Sequence, residues 1–159
     1  MTGYTVVILS KRLSGYVQPL FDRARGHVRH HPQLGVLKRD TAAHCWVATL
    51  TRTARTLTFV IEGDAEPDPR LVAHAGDLLA QFDVLEHRVE EYLACEAARE
   101  ASSDPAVAAE IRALRISSVN LRSPDRPDAV VIDFDGPDEM RYWYCHYVKG
   151  ELSRLGFDT

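Results

Sequence analysis

The feature that most constrains this fold is a long apolar stripe with helical spacing in the middle of the chain. Its members recur at alternating steps of four and three residues: Leu71, Ala75, Leu78, Phe82, Leu85, Val89 and Tyr92. Asp68 and Pro69 precede the stripe and suit the N-cap and the first position of a helix. The stripe predicts one continuous amphipathic helix that covers a sheet, because a coiled coil needs heptads that persist for longer.

Period-two patterns on both sides of that helix predict strands. Before the helix, the expected strands are residues 5–9, 34–37, 45–50 and 56–61. After it, they are residues 115–121, 129–135, 140–148 and 152–157, the first with a bulge at Ser117 and Ser118. Two further helices are expected over residues 14–25 and 106–114, and residues 25–32 read as a polar loop. The expected fold class is therefore α+β: a mostly antiparallel sheet packed by one long amphipathic helix plus one or two short helices.

The composition fits a single domain. The chain has 159 residues, of which 45% are hydrophobic and 26% are charged, enough for one ordinary core. We expect residues 1–159 to form one domain, with residues 1–30 as a candidate N-terminal extension. No segment approaches the roughly 20 apolar residues of a membrane span, and residues 6–9 are too short for a signal peptide, so a cytoplasmic location is expected. The cysteines Cys45, Cys95 and Cys145 lack CxxC spacing and are expected to be buried free thiols.

Charge is distributed unevenly along the chain. Residues 1–60 hold nine basic and two acidic residues, a net charge of +7, whereas residues 61–159 carry a net charge of −11. Such a split can indicate a segment that binds a polyanion. We favour the alternative, in which the two halves of one domain attract each other.

Histidines and cysteines offer the first candidate chemistry. His27, His30 and His31 could bind a divalent metal, but Arg25 and Arg29 lie in the same segment and oppose a cation. Whether these histidines bind a metal therefore stays open, and the favoured interpretation of the segment is a basic stretch at the protein surface. Two dipeptides, His44-Cys45 and Cys145-His146, suggest a Cys/His zinc site or a Cys–His nucleophile. Neighbouring residues on a strand point to opposite faces of the sheet, so each dipeptide offers only one ligand per face, which disfavours both sites.

Acidic and aromatic residues near the C-terminal end form the second group of candidates. Asp133 and Asp135 share one strand face and could ligate Mg²⁺ or Ca²⁺, although solvated carboxylates at a strand end are the favoured interpretation. Residues 142–147 are rich in aromatic side chains, which anchor protein interfaces and also stack on nucleic acid bases. The candidate interaction surface is Tyr142, Tyr144, His146, Trp143, Asp133 and Asp135.

Several segments together resemble known families. They are His31 to Leu37, Trp46 on the next strand, the helix that begins after Asp68, residues 143–150 and residues 155–158. Over residues 30–158 this pattern resembles small bacterial α+β domains of unknown function, some of which are similar to immunity proteins encoded beside bacterial toxins. The resemblance implies a role in protein binding, and it assigns no catalytic residues to this chain.

The leading functional hypothesis is a non-enzymatic protein-interaction domain, of immunity type, that binds a partner protein through an acidic surface. No phosphate-loop, HExxH or GxSxG motif is present, and no cofactor is expected. A metal-dependent hydrolase that uses Asp133, Asp135 and histidines is one alternative. A nucleic-acid binder that uses the basic first third is the other, and the acidic surroundings of residues 142–147 disfavour it. We expect no membrane partner, and a homo-oligomer stays open.

Overall fold

A computed structural model describes residues 27–159. The strand expected over residues 5–9 and the helix expected over residues 14–25 lie outside this range. The strands are β1 (Val28–His31), β2 (Gly35–Asp40), β3 (Cys45–Arg52), β4 (Arg55–Glu62), β5 (Arg115–Leu121), β6 (Ala129–Asp135), β7 (Tyr142–Val148) and β8 (Glu151–Asp158). The helices are α1 (Pro69–Ala80), α2 (Phe82–Glu100) and α3 (Pro105–Ala113).

The eight strands of the described range form one sheet, in which each strand pairs with its neighbours in chain order. All pairs are antiparallel except β4 with β5, which are parallel. Parallel neighbours need a crossover connection, and the three helices provide it. The expected α+β class, with a mostly antiparallel sheet, is confirmed.

The predicted single helix is interrupted at one residue. Gln81 leaves the helical conformation at φ −112° and ψ 23°, so that α1 ends at Ala80 and α2 begins at Phe82. The stripe continues across this break. Three of its residues before the break and three after it are buried, and the seventh, Tyr92, is partly buried. A straight helix diverges from a twisted sheet, and the break lets both segments keep their apolar side on it. The prediction of one continuous helix was wrong, because neither glycine nor proline marks position 81.

Residues 28–31 were expected in a loop but form the edge strand β1. Their backbone pairs with β2 from Val28 opposite Lys38 to His31 opposite Gly35. The segment is polar because β1 is an edge strand with alternating exposed and half-buried residues. Pairing with a neighbour, which composition does not report, decided its conformation.

The three helices pack on one face of the sheet. The core that they close contains, from the strands, Trp46, Phe59, Ile61, Val119 and Ile132. Cys45, Val47 and Val60 belong to a separate cluster on the opposite face. The expected bulge is confirmed by a register shift between Ile116 and Ser118. No helix within residues 27–159 is both long and apolar enough to cross a membrane.

Candidate functional site

The structure divides the six residues of the predicted interaction surface among three places. Trp143 lies in the core on the helix-covered face and is 3% exposed. Its position excludes it from any exposed surface and corrects the prediction at this residue. Asp133, Tyr144 and His146 lie on the helix-free face, where the strand pairing places Asp133 opposite Tyr144.

Asp135 and Tyr142 occupy the third place, at one end of the sheet. There β6 ends at Asp135, β7 begins at Tyr142, and β8 ends at Asp158. With the β6–β7 connection, these ends form a surface that we call the acidic tip: Asp135, Asp138, Glu139, Met140, Tyr142 and Phe157.

Two large apolar side chains of the acidic tip face solvent. Met140 is 77% exposed and Phe157 is 42% exposed. The Asp138 carboxylate accepts a hydrogen bond from the Met140 backbone N–H at 2.9 Å, which holds the connection in its turn. The Arg141 guanidinium lies 4.9 Å from the centre of the Phe157 ring. The tip thus combines carboxylates with exposed apolar surface.

A buried carboxylate holds the base of the acidic tip. Glu110 of α3 is 8% exposed and accepts hydrogen bonds from Trp143 Nε1 at 2.6 Å and Arg141 Nη1 at 2.7 Å. The contact fastens the start of β7 to α3. Sequence reasoning missed it, although Glu110 lies among Val107, Ile111 and Leu114 on the apolar side of the helix, which was the available signal.

Asp133 is the centre of a polar network on the helix-free face. It is 2% exposed, and its Oδ2 accepts hydrogen bonds from Ser118 Oγ at 2.7 Å and Asn120 Nδ2 at 2.8 Å. Its Oδ1 is buried and has no hydrogen-bond partner in the described part of the chain. The interpretation of Asp133 as a solvated carboxylate was wrong, whereas Asp135 is exposed as that interpretation expected. The strand alternation was correct, but one strand pattern does not reveal what covers a sheet face.

Three basic residues of the first half contact acidic residues of the second. Arg29 pairs with Glu66, and Arg52 Nη2 lies 2.5 Å from Asp83 Oδ1. Arg55 makes the same kind of contact with Glu86 at 2.6 Å. Such surface pairs contribute little stability individually, but they neutralise cations that a polyanion would otherwise meet. This pattern supports mutual attraction between the two halves.

The histidines have separate surroundings. His31 Nδ1 accepts backbone N–H groups from Gln33 and Leu34 at 3.3 Å, and His27 Nδ1 lies 3.5 Å from an Arg39 nitrogen. His44 contacts Asp64 at the protein surface. Within residues 27–159, no three His, Cys, Asp or Glu side chains are grouped as a metal site would require.

The cysteines differ in exposure. Cys45 and Cys145 are buried, whereas Cys95 on α2 is exposed, which corrects the expectation of three buried thiols. Burial raises the pKa of the Cys145 thiol to about 12, and the charge of Asp133 acts in the same direction. Burial also raises the pKa of Cys45. Cys95 is therefore the thiol that we expect to react with reagents in solution.

We expect alkaline pH to destabilise the protein through Cys145. The thiol ionises near pH 9 in the unfolded chain but only near pH 12 in the fold, so unfolding releases a proton between these values. The free energy of unfolding then falls as pH rises through this window, by roughly 1 kcal/mol at pH 10 for this group. Urea unfolding at pH 8 and pH 10 measures the fall. Cys145→Ala should reduce it and Cys95→Ala should not; equal falls in both variants would contradict the assignment.

Comparison of the chain with protein-family models, with curated proteins and with solved structures found no match. The resemblance to immunity-type families therefore stays a prediction.

Proposed function

We propose that this protein is a non-enzymatic protein-interaction domain that binds a basic partner surface through its acidic tip. The observation that carries the proposal is the 77% exposed Met140 among the carboxylates of the tip. A flexible thioether side chain adapts its shape to a partner, and solvent-exposed methionine is common at binding surfaces. Phe157 adds an aromatic anchor of the kind that dominates binding energy.

The charge of the acidic tip defines the chemistry of its partner. Asp135, Asp138 and Glu139 supply three carboxylates. Arg141 binds Glu110 below the tip at 2.7 Å, and its Nε also lies 3.6 Å from the Asp138 carboxylate. Complementary charge would orient an approaching basic surface, and burial of Met140 and Phe157 would then hold it. A basic toxin is one partner with this chemistry, which agrees with the immunity role that the family resemblance implies.

The two alternative functions receive less support. A metal-dependent hydrolase would bring Asp133 and Asp135 together with histidines, but one carboxylate is buried and the other is exposed. A nucleic-acid binder would present the cations of the first half, yet Arg29, Arg52 and Arg55 pair with carboxylates.

The test begins with identification of the partner and ends with a measured affinity. A photo-crosslinking amino acid at position 140 should capture a protein in host cells, whereas the same group at position 84 on α2 should not. Val84 is the appropriate reference because it is also apolar and 54% exposed. The captured protein is then purified, and its Kd for the domain is measured by calorimetry at two salt concentrations.

Matched double variants separate the acidic tip from the general surface charge. Asp135→Lys with Met140→Ala should weaken binding at least about tenfold, because it reverses a charge and removes an apolar anchor. Glu90→Lys with Val84→Ala makes the same chemical changes on α2 and should alter the Kd less than about twofold. Equal effects of the two double variants, or affinity that does not depend on salt, would overturn the proposal.

A further inference from the structure

Met140 presents a thioether to solvent at the centre of the acidic tip. The residue is 77% exposed, and it is one of two methionines in the chain; the other, Met1, lies outside the described residues. Three oxidisable side chains of the helix-covered core are at most 3% exposed: Trp46, Trp143 and Cys145. Cys95 on α2 is exposed, so it is the competing sulfur that an experiment must remove.

An exposed thioether is open to oxidation by hydrogen peroxide. The sulfur takes one oxygen atom from the peroxide: the O–O bond breaks, an S–O bond forms, and water leaves. The sulfur is oxidised by two electrons and the peroxide is reduced by two. A thiol must first ionise to react, whereas a thioether needs no proton loss, so solvent access decides whether Met140 reacts.

We propose that Met140 is an oxidation site of the acidic tip, at which formation of the sulfoxide releases the basic partner. This role rests on the proposed function, in which the apolar Met140 side chain is buried against that partner. The sulfoxide is polar and chiral, so burying it on the same contact costs free energy that the thioether does not cost. Two thiols of a reductase can reverse the change, because they form a disulfide while the oxygen leaves as water.

The contacts that hold the acidic tip do not involve the thioether. The Asp138 carboxylate binds the Met140 backbone N–H at 2.9 Å, which oxidation of the side chain leaves in place. Beneath the tip, Glu110 accepts hydrogen bonds from Arg141 and Trp143. Oxidation therefore changes the surface that meets the partner and leaves its support intact.

Peptide mapping after peroxide treatment tests the site. The full-length Cys95→Ala variant is treated with hydrogen peroxide, and the oxygen is located by mass spectrometry. Met140 should be oxidised at a rate within about tenfold of that of a synthetic peptide of residues 137–143, because its side chain is open to solvent. A folded protein in which Met140 reacts more slowly than this would overturn the proposed site.

Affinity before and after oxidation tests the consequence. The probe is the protein captured by the crosslinker at position 140, purified and measured by calorimetry. Oxidised Cys95→Ala protein should bind it at least about tenfold more weakly, and a thiol-dependent methionine sulfoxide reductase should restore the Kd.

Met140→Leu in the Cys95→Ala background is the matched control. Leucine is apolar but has no sulfur, so peroxide treatment should change the Kd of this variant less than about twofold. An equal loss of affinity in this variant would assign the effect to oxidation elsewhere in the chain and would overturn the role of Met140.

The double variants of the acidic tip and of α2 separate failure of this role from failure of the proposed function. If Asp135→Lys with Met140→Ala weakens binding while oxidation leaves the Kd unchanged, only the oxidation role is overturned. If the double variants at the tip and on α2 have equal effects, the proposed function fails and the oxidation role fails with it.

Discussion

Glu110→Ala is expected to lower the free energy of unfolding by about 3 kcal/mol. The substitution leaves the buried Trp143 Nε1–H without an acceptor and removes the carboxylate that pairs with Arg141. Loss of one member of a buried, hydrogen-bonded charge pair costs about 3–5 kcal/mol; the partial exposure of Arg141 places our estimate at the lower end. For a domain of this size the midpoint of thermal unfolding should fall by roughly 6–12 °C.

Two controls separate the buried contact from helix propensity and charge. Glu110→Gln keeps an oxygen that can accept the Trp143 N–H and should therefore lose less stability than Glu110→Ala. Glu90→Ala makes the same truncation on an exposed face of α2 and should change stability by no more than about 0.5 kcal/mol. Urea unfolding of the three variants measures the differences, and a Glu110→Ala effect as small as that of Glu90→Ala would refute the prediction.

This contact also affects the proposed interaction surface. Trp143 and Arg141 stand at the start of β7, directly after the Met140 connection. Without Glu110, the acidic tip should become less ordered, so partner binding should weaken in Glu110→Ala even at temperatures where the domain stays folded. Glu110 would then act as a positioning residue beneath the tip rather than as a binding residue.

Gly63→Ala is expected to destabilise the protein by at least about 3 kcal/mol. A Cβ atom at Gly63 would overlap the Glu66 carbonyl oxygen and would lie 2.7 Å from Pro67 Cα, so the backbone itself must move. The loop concerned leads into α1: the Asp68 N–H donates to the Glu62 carbonyl, and the Asp68 side chain caps the helix. Displacing it disturbs the helix start that directs the apolar stripe onto the sheet.

Gly35→Ala is the matched comparison. Gly35 has a φ of +71°, which an alanine adopts at some cost, but no atom lies within 4 Å of the added Cβ. This substitution should cost about 1 kcal/mol, from backbone conformation alone. Similar losses at the two glycines, measured by thermal and urea unfolding, would show that the loop before α1 yields without strain.

Local signals explain which elements could be predicted. The strand at residues 129–135 and the helix starts at Asp68 and Asp104 agree with the structure, since both carboxylates cap their helices. The bulge near Ser118 was visible as a phase slip in the alternation. Capping and alternation involve residues only a few positions apart, so the sequence displays them directly.

Long-range contacts explain most of what could not be predicted. The core position of Trp143 depends on Glu110, 33 residues earlier, and the strand at Val28–His31 depends on its pairing with β2. The break at Gln81 follows from the fit of a long helix to a twisted sheet, which no residue at that position announces.

The predicted interaction surface depends on both local sequence patterns and long-range contacts. Sequence reasoning selected Asp135 and Tyr142, which lie at the acidic tip, but it grouped them with the buried Asp133 and Trp143 and did not select Met140. Alternation shows which residues share a face of a strand, and it cannot show which face is covered.

The sequence by itself determined the periodicity of the chain: nine patterned segments in the described range, seven predicted as strands and two as helices, can be related to observed elements. The apolar stripe marks the helical surface that must be buried. The tertiary structure alone decided the order of the strands, the face on which the helices pack and the carboxylate that becomes buried beneath the acidic tip. The physical reason is that periodicity arises from backbone geometry over a few residues. Burial and hydrogen bonding arise between residues that only the folded chain brings together.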